Sequence, residues 1–384
     1  MEKVYDAIVV GAGIQGSSTA YNLVKNGQHT MLLEQFPLPH SRGSSHGQSR
    51  IIRKAYGSEG YHYTEMMPEA FRQWKTLEQE TGITLFKQTG ILFCGTDGET
   101  FMTDVLKSLH KNSMPYTSLD SKDLPEKYPM LCYPPDSIGI EDPSGGVLFS
   151  NKALVAFQSE FIKHGGALCD NESLVDIIPG DIVTVKTSKG RYKSRNLVLT
   201  VGPWATKLLP RLGIHLPLKA LRVSVFYWKE KIPGTYSVEK FPVVIQEHGT
   251  SNNHFYGLPC LEYPGLFKFC CHHGPEVDPD KRDDVDSSWV LEKTKACISK
   301  QFPLLEPIPA ITESCIYTVT PDNNYVLDRH PDMSNVIIGA GFSGHGFKLA
   351  PVVGKLLCEL VMHKTSSYNM SHYKIKRFYN SSKL

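Results

Sequence analysis

The segment Leu266 to His273 reads Leu-Phe-Lys-Phe-Cys-Cys-His-His and concentrates residues that carry charge, protons or metal. Its aromatic and apolar residues suit a strand, with Lys268, Cys270 and His272 on one face and Phe269, Cys271 and His273 on the other. At roughly 3.3 Å per residue, Lys268 and His272 lie about 13 Å apart, too far to act on each other. They could still serve one extended planar cofactor or its substrate. Adjacent strand residues point opposite ways, so Cys-Cys-His-His cannot converge on one zinc ion and no metal is expected. A half-exposed edge strand is the bland alternative. Arg50 and Arg53 stand three residues apart. On a helix they would share a face; they could equally be a solvated charge pair. Cys315, in Ser314-Cys315-Ile316-Tyr317-Thr318, reads by itself as a buried strand cysteine. Lys348, just inside a glycine-rich helix start, reads by itself as a surface lysine.

The element that must position these groups is at the start of the chain. Asp6-Ala7-Ile8-Val9-Val10 is an apolar run, followed by Gly11-Ala12-Gly13-Ile14-Gln15-Gly16, a segment free of Gly and Pro from Ser17 to Asn26, and Met31-Leu32-Leu33-Glu34. This is a β-α-β unit with the G-x-G-x-x-G turn of dinucleotide binding. Gly11 permits the tight turn, Gly13 lets backbone approach a pyrophosphate, and Gly16 lets helix and sheet pack closely. The helix N-terminus offers free N–H groups to phosphates, and Glu34 can accept hydrogen bonds from a ribose. The motif does not separate NAD from FAD. The loop after Glu34 is polar, basic and rich in Gly and Ser; its donors Arg42, Ser45, His46 and Arg50 suit phosphates and the polar edge of a flavin.

Helical spacing of Met67, Ala70, Phe71, Trp74 and Leu77 predicts a helix over 68–80. Strands are expected at 89–95 and 145–149, with helices at 101–112 and 152–164. Short strands at 174–178, 181–187 and 191–193 read as a small meander, and 196–204, an apolar strand ending in glycine, as a return to the parallel sheet. Strands at 222–228, 243–246, 254–257 and 265–273, with a helix at 287–301, form a β-rich region. Asn335 to Gly341 is another buried strand, leading through Phe342-Ser343-Gly344-His345-Gly346-Phe347-Lys348 into a helix. That second strand–glycine–helix turn suggests the chain returns to the cofactor. The expected fold is α/β, with a Rossmann-type cofactor domain (1–85, 145–215 and 321–384) interleaved with a β-rich substrate domain (86–144 and 216–320).

The 384 residues carry a net charge of +2 with both signs spread along the chain. Nucleic acid and anionic membranes are therefore not expected partners. There is no run of about 18 apolar residues and no signal-peptide pattern. Nine scattered cysteines without a CxxC pair look like free thiols in a reducing compartment. The chain ends Ser382-Lys383-Leu384, the peroxisomal address, so a peroxisomal location reached through the import receptor is expected.

The chain resembles the sarcosine oxidase family of amine-oxidising flavoenzymes over essentially its whole length. The resemblance is carried by the Gly11–Gly16 turn, Ser45-His46-Gly47-Gln48-Ser49-Arg50-Ile51-Ile52-Arg53, Ser314–Thr318 and Ala340–Lys348. It implies FAD joined through its 8α-methyl group to the sulfur of Cys315. It also implies Arg53 and Lys348 on a substrate carboxylate, Tyr256 and His272 lining the substrate pocket, and Lys268 beside flavin N5 promoting reaction with oxygen. The Ala340–Lys348 motif brings Gly341, Phe342, Gly344, His345 and Gly346 to the cofactor. The implied reaction oxidises a secondary α-amino acid (sarcosine, L-pipecolate or L-proline) to an imine and gives hydrogen peroxide, in a monomer. An NAD-linked dehydrogenase and a non-catalytic flavin-binding protein are the alternatives. Glu59 falls one place later than the corresponding acid of bacterial members, and Ile245 replaces a pocket methionine.

Overall fold

The first apolar run forms the strand Val4–Val10, central in an eight-stranded sheet. The computed structural model describes residues 3–57, 60–247 and 254–379; Ser58, Glu59 and the terminal Ser382-Lys383-Leu384 lie outside these. Val4–Val10 pairs in parallel with Thr30–Leu33 on one side and Arg191–Leu199 on the other. Both faces are buried, so the run is continuously apolar rather than alternating. Ala7 and Val9 enter the core under the helices Ile14–Lys25, Ser150–Lys163 and Ala350–Val361, with Phe157, Phe161, Val353 and Leu357. Ile8 and Val10 enter a second core with Met31, Val185 and Ile338.

The last strand of the meander and the return strand are one element, contrary to the sequence reading. Arg191–Leu199 pairs antiparallel with Val183–Thr187 through its first half. Its second half pairs in parallel with Val336–Ala340 along the same edge. No breaker separates Ser194 from Leu197, so the chain runs straight from the hairpin into the sheet.

The second sheet orders its eight strands Leu305–Val319, Lys219–Glu230, Leu266–Cys271, His254–Tyr263, Val243–Glu247, Ile91–Thr96, Ser137–Asp142 and Thr117–Leu119. One face packs Phe226, Trp228, Phe267 and Phe269 against the helix Ser288–Gln301 and its cap Phe302. Each such side chain contributes about 1.5–3 kcal/mol on burial. The opposite face gathers Val225, Tyr227, Cys270 and Cys315. Cys270 and Cys271 thus enter different cores, as the alternation required, and no cluster suited to a metal occurs among the described residues. A small third sheet joins Ser49–Ile52, Gly146–Phe149 and Phe86–Gln88. Arg50 is therefore on a strand and Arg53 just past its end, not on the helix that their spacing allowed. No described helix is long and apolar enough to cross a membrane.

Candidate active site

A cavity of about 1000 Å³ opens at the carboxyl ends of the first sheet's parallel strands. Its walls come from distant stretches, among them the Gly11–Gln15 turn, Glu34 with the loop as far as Arg50, the helix Ser150–Lys163, Thr200–Trp204, Ile316–Thr318, and Phe342–Phe347.

At one end the glycine turn is fixed by sterics. Gly11 has φ +98°, and a Cβ there would sit 2.5 Å from the Thr200 carbonyl oxygen. A Cβ on Gly16 would lie 1.9 Å from the Gly11 oxygen. Gly13 is different: its φ of −64° suits any residue and its Cβ would meet only Ser45 Oγ at 3.2 Å, beside the cavity. Gly13 supplies no side-chain cap to the helix starting at Ile14, whose first turn has no acidic residue; Ser45 takes the Ile14 N–H, and the N–H groups that follow remain for an anion. Glu34, buried at the strand end, accepts from Ala12 N–H (2.9 Å) and Phe36 N–H (3.1 Å). These bonds hold the carboxylate on the cavity wall with acceptor capacity remaining for a ribose. Gln15 donates to the Gly346 carbonyl at 2.9 Å, while its buried Oε1 has no partner.

The loop after Glu34 is ordered by its own donors. Ser45 Oγ accepts from Ile14 N–H at 2.9 Å. His46 places both ring nitrogens 2.9 Å from carbonyl oxygens, those of Gly43 and Ser314. Burial and then Arg50 push its pKa down to about 4, so at neutral pH only one nitrogen donates. Arg50 donates to the Ser44 and His46 carbonyls (3.0 and 2.6 Å) and lies 3.9 Å from Cys315 Sγ. Cys315 is buried on Leu305–Val319, opposite Val223, with Sγ 3.6 Å from the Ser44 carbonyl oxygen. Arg42 does not join the cavity wall; it pairs with Asp283 at 2.8 Å near the surface. Gly16 and Gly341 also stay behind the wall, and both are conformational positions, Gly341 having φ +65°.

At the far end Tyr317, a cavity residue, stands with His272, their rings 5.2 Å apart. A Cβ on Gly344 would lie 2.6 Å from Tyr317 and 2.9 Å from His272, so only glycine lets the loop reach both. His272 also meets Tyr256 edge-on at 6.1 Å and stacks on His254 at 4.9 Å. Burial, then His273, Lys348 and Arg53, depress its pKa to about 3, so the ring is neutral. Arg53 lies over the rings of Tyr56 and Phe93 (5.2 and 5.7 Å). Burial works against its charge, and Asp142 attracts it from beyond ion-pair distance. Lys348 is buried, correcting the surface reading; Nζ donates to Tyr56 Oη (3.2 Å) and the His345 carbonyl (3.1 Å). Burial and then Arg53 hold its pKa well below 10.5. Trp74 Nε1–H fixes the Lys348 carbonyl at 2.9 Å, and His345 accepts or donates with Tyr325 Oη at 2.8 Å behind it. Among the described residues neither Arg53 nor Lys348 has a carboxylate within ion-pair distance.

Lys268 reaches the site through Ser49, one residue before Arg50, with Nζ 3.1 Å from Ser49 Oγ. Its buried partner Glu262 (2.9 Å) was not singled out by sequence. It lies across a strand-to-strand turn that periodicity does not resolve. Tyr317 was also passed over, although period-two alternation from Cys315 places it on the same strand face.

Comparison with known proteins follows the same lines. A family model described as FAD dependent oxidoreductase matches residues 6–360. The peroxisomal sarcosine oxidase of Homo sapiens is 47% identical over 382 residues, covering 98% of this chain and 96% of that protein. The monomeric sarcosine oxidase of Bacillus sp. (strain NS-129) is 32% identical, covering 98% of each. The solved structure of an L-proline dehydrogenase from P.horikoshii superposes with a TM-score of 0.84 at 24% identity, covering 99% of each chain, and shows the fold. The choice between NAD and FAD that the glycine turn left open is thereby made, and the chain belongs to the FAD-dependent oxidoreductase family, alongside the sarcosine oxidases.

Proposed function

We propose that the chain oxidises secondary α-amino acids to imines with O2 as electron acceptor, acting as a monomeric peroxisomal enzyme with FAD held covalently through Cys315. The carrying observation is the pair Arg53, half-buried, and Lys348, buried, which share the Tyr56 ring. Each lies 5.2 Å from the centre of that ring, with no carboxylate within ion-pair distance among the described residues, which suits a ligand that brings its own. The names of its relatives, the human peroxisomal sarcosine oxidase and the bacterial monomeric one, support substrate class, location and single-chain assembly.

In this reading bound FAD supplies the hydride acceptor and the route of two electrons to oxygen. Gly11, Gly13 and Glu34 would hold its ADP half, Gly16 only keeping helix and turn close, with Ser45, His46 and Arg50 at the middle. Phe342, Gly344 and Gly346 shape the wall next to the reacting ring. Arg53 and Lys348 orient the substrate carboxylate, and Tyr256, Tyr317 and neutral His272 close the pocket around the amine. The amine reacts as its free base, because an ammonium has no lone pair to assist hydride loss from the adjacent carbon. A neutral His272 leaves the amine uncontested by a third charge. Lys268 provides positive charge where electrons pass to oxygen.

Purified protein should release peroxide with sarcosine, L-pipecolate or L-proline and not with the matching amines that lack a carboxylate. Equal turnover of both sets would sink the assignment to Arg53 and Lys348. After acid denaturation the yellow colour should stay with the chain and be absent from a Cys315→Ala variant. Flavin that washes off the wild type would refute the link.

A further inference from the structure

Lys268 is not a bare charge. Its Nζ lies 2.9 Å from Glu262 Oε1, and both side chains are almost fully buried, 7% and 5% exposed. Glu262 is held from three sides. Ser49 Oγ–H donates to Oε1 and Tyr227 Oη–H to Oε2, the latter at 2.7 Å. Lys268 Nζ also lies over the Tyr227 ring at 5.5 Å. Burial alone opposes the ionised carboxylate, but Lys268 and the Ser49 and Tyr227 bonds outweigh it, leaving its pKa below the usual value. Tyr227 continues outward to Glu313 at 3.4 Å, which Tyr263 meets at 2.9 Å. Ser49, the shared contact, precedes Arg50 of the cavity wall.

We infer that Glu262 is the counter-ion of Lys268 and a positioning residue for the half-reaction with oxygen: it keeps the ammonium in place and reduces the field it casts on the flavin end of the cavity. The inference rests on the reading of Lys268 as the lysine beside the flavin. Two opposite charges 2.9 Å apart act at a distance as a dipole, so removing the carboxylate exposes the full field of one buried charge. An ammonium left alone in a low-dielectric site also loses its proton more readily. The field exposed in a variant without the carboxylate should therefore be strong at low pH and fade as pH rises.

Sulfite, an anion that adds to oxidised flavin, is the probe. In holoenzyme, Glu262→Gln should bind sulfite about tenfold more tightly than wild type at low pH, the scale of one uncompensated charge. The gain should shrink toward high pH when each variant is compared with wild type at the same pH. Lys268→Met should bind sulfite more weakly than wild type. The double variant should match Lys268→Met, because Glu262 acts only through the lysine; it also lacks the lone buried charge and should melt above Glu262→Gln. If Lys268→Met weakens sulfite binding but Glu262→Gln equals wild type at every pH, the counter-ion role is overturned while the reading of Lys268 stands. If Glu262→Gln does not fold, a double variant that binds sulfite unlike Lys268→Met overturns it equally. If Lys268→Met equals wild type, the lysine is not beside the flavin and both fall.

Discussion

Lys348→Met should lower kcat/KM for a secondary α-amino acid by about 2–5 kcal/mol, the usual effect of removing one partner of a buried charge pair. That is roughly thirtyfold to several-thousandfold. The loss should fall mainly on substrates carrying a carboxylate, since Lys348 Nζ contacts Tyr56 and the His345 carbonyl and no described acid. Stability should move the other way. The pKa of Lys348 is held well below 10.5 by burial and by Arg53. Between its folded value and 10.5 the unfolded chain binds more protons than the native one, so substrate-free protein gains stability as pH rises through that window. Melting curves across alkaline pH should show this rise in wild type and a flatter profile in the variant. A bound carboxylate reverses the preference by favouring the ammonium, so substrate analogues should bind with proton uptake at alkaline pH in wild type alone. A variant that keeps the wild-type kcat/KM on carboxylate substrates, or melts lower than wild type without ligand, would count against the anchoring role.

The second large effect concerns the glycine turn. Gly16→Val places new atoms against the Gly11 carbonyl, where a Cβ alone would already be at 1.9 Å. Overpacking of this kind costs about 1–3 kcal/mol or more, and here it opens the turn that carries the helix N-terminus. The expected product is colourless protein of reduced melting temperature. Gly13→Ala is the control, because its backbone is extended and meets no backbone atom within reach. It should fold with near-wild-type stability and lose flavin only. Full flavin content in Gly13→Ala would show that the cofactor does not approach the turn there.

These two sites also show where sequence was informative. The glycine turn and Glu34 are local: tight turn, helix and acid all lie within thirty residues, and the structure joins Glu34 directly to the Ala12 N–H. Lys348 was opaque because its burial is made by Trp74, Tyr56 and His345, and the first two lie more than 270 residues away. Arg50 and Arg53 allowed a helix by spacing, but Ser49–Ile52 pairs with Gly146–Phe149, a contact no local pattern encodes. Glu262 was missed for the same reason, since only the packing of Tyr227 and Ser49 makes an ordinary surface residue type a buried ion. The sheet around Val4–Val10 was read largely correctly because strands buried on both faces announce themselves by composition.

The dispersed origin of the cavity wall has a consequence for the order of events in synthesis. Gln15 is tied to Gly346, 331 residues later. The parallel neighbours of the first strand likewise include a strand that does not exist until Leu199 has been made. At about 5–20 residues per second, roughly 15 to 65 s separate the first wall from the last. The nascent chain can form its glycine turn early, but it cannot enclose a flavin until nearly all of it has left the ribosome. Cofactor capture is therefore a closing step performed on an almost complete polypeptide, and C-terminal truncation before Lys348 should abolish flavin incorporation as well as substrate binding.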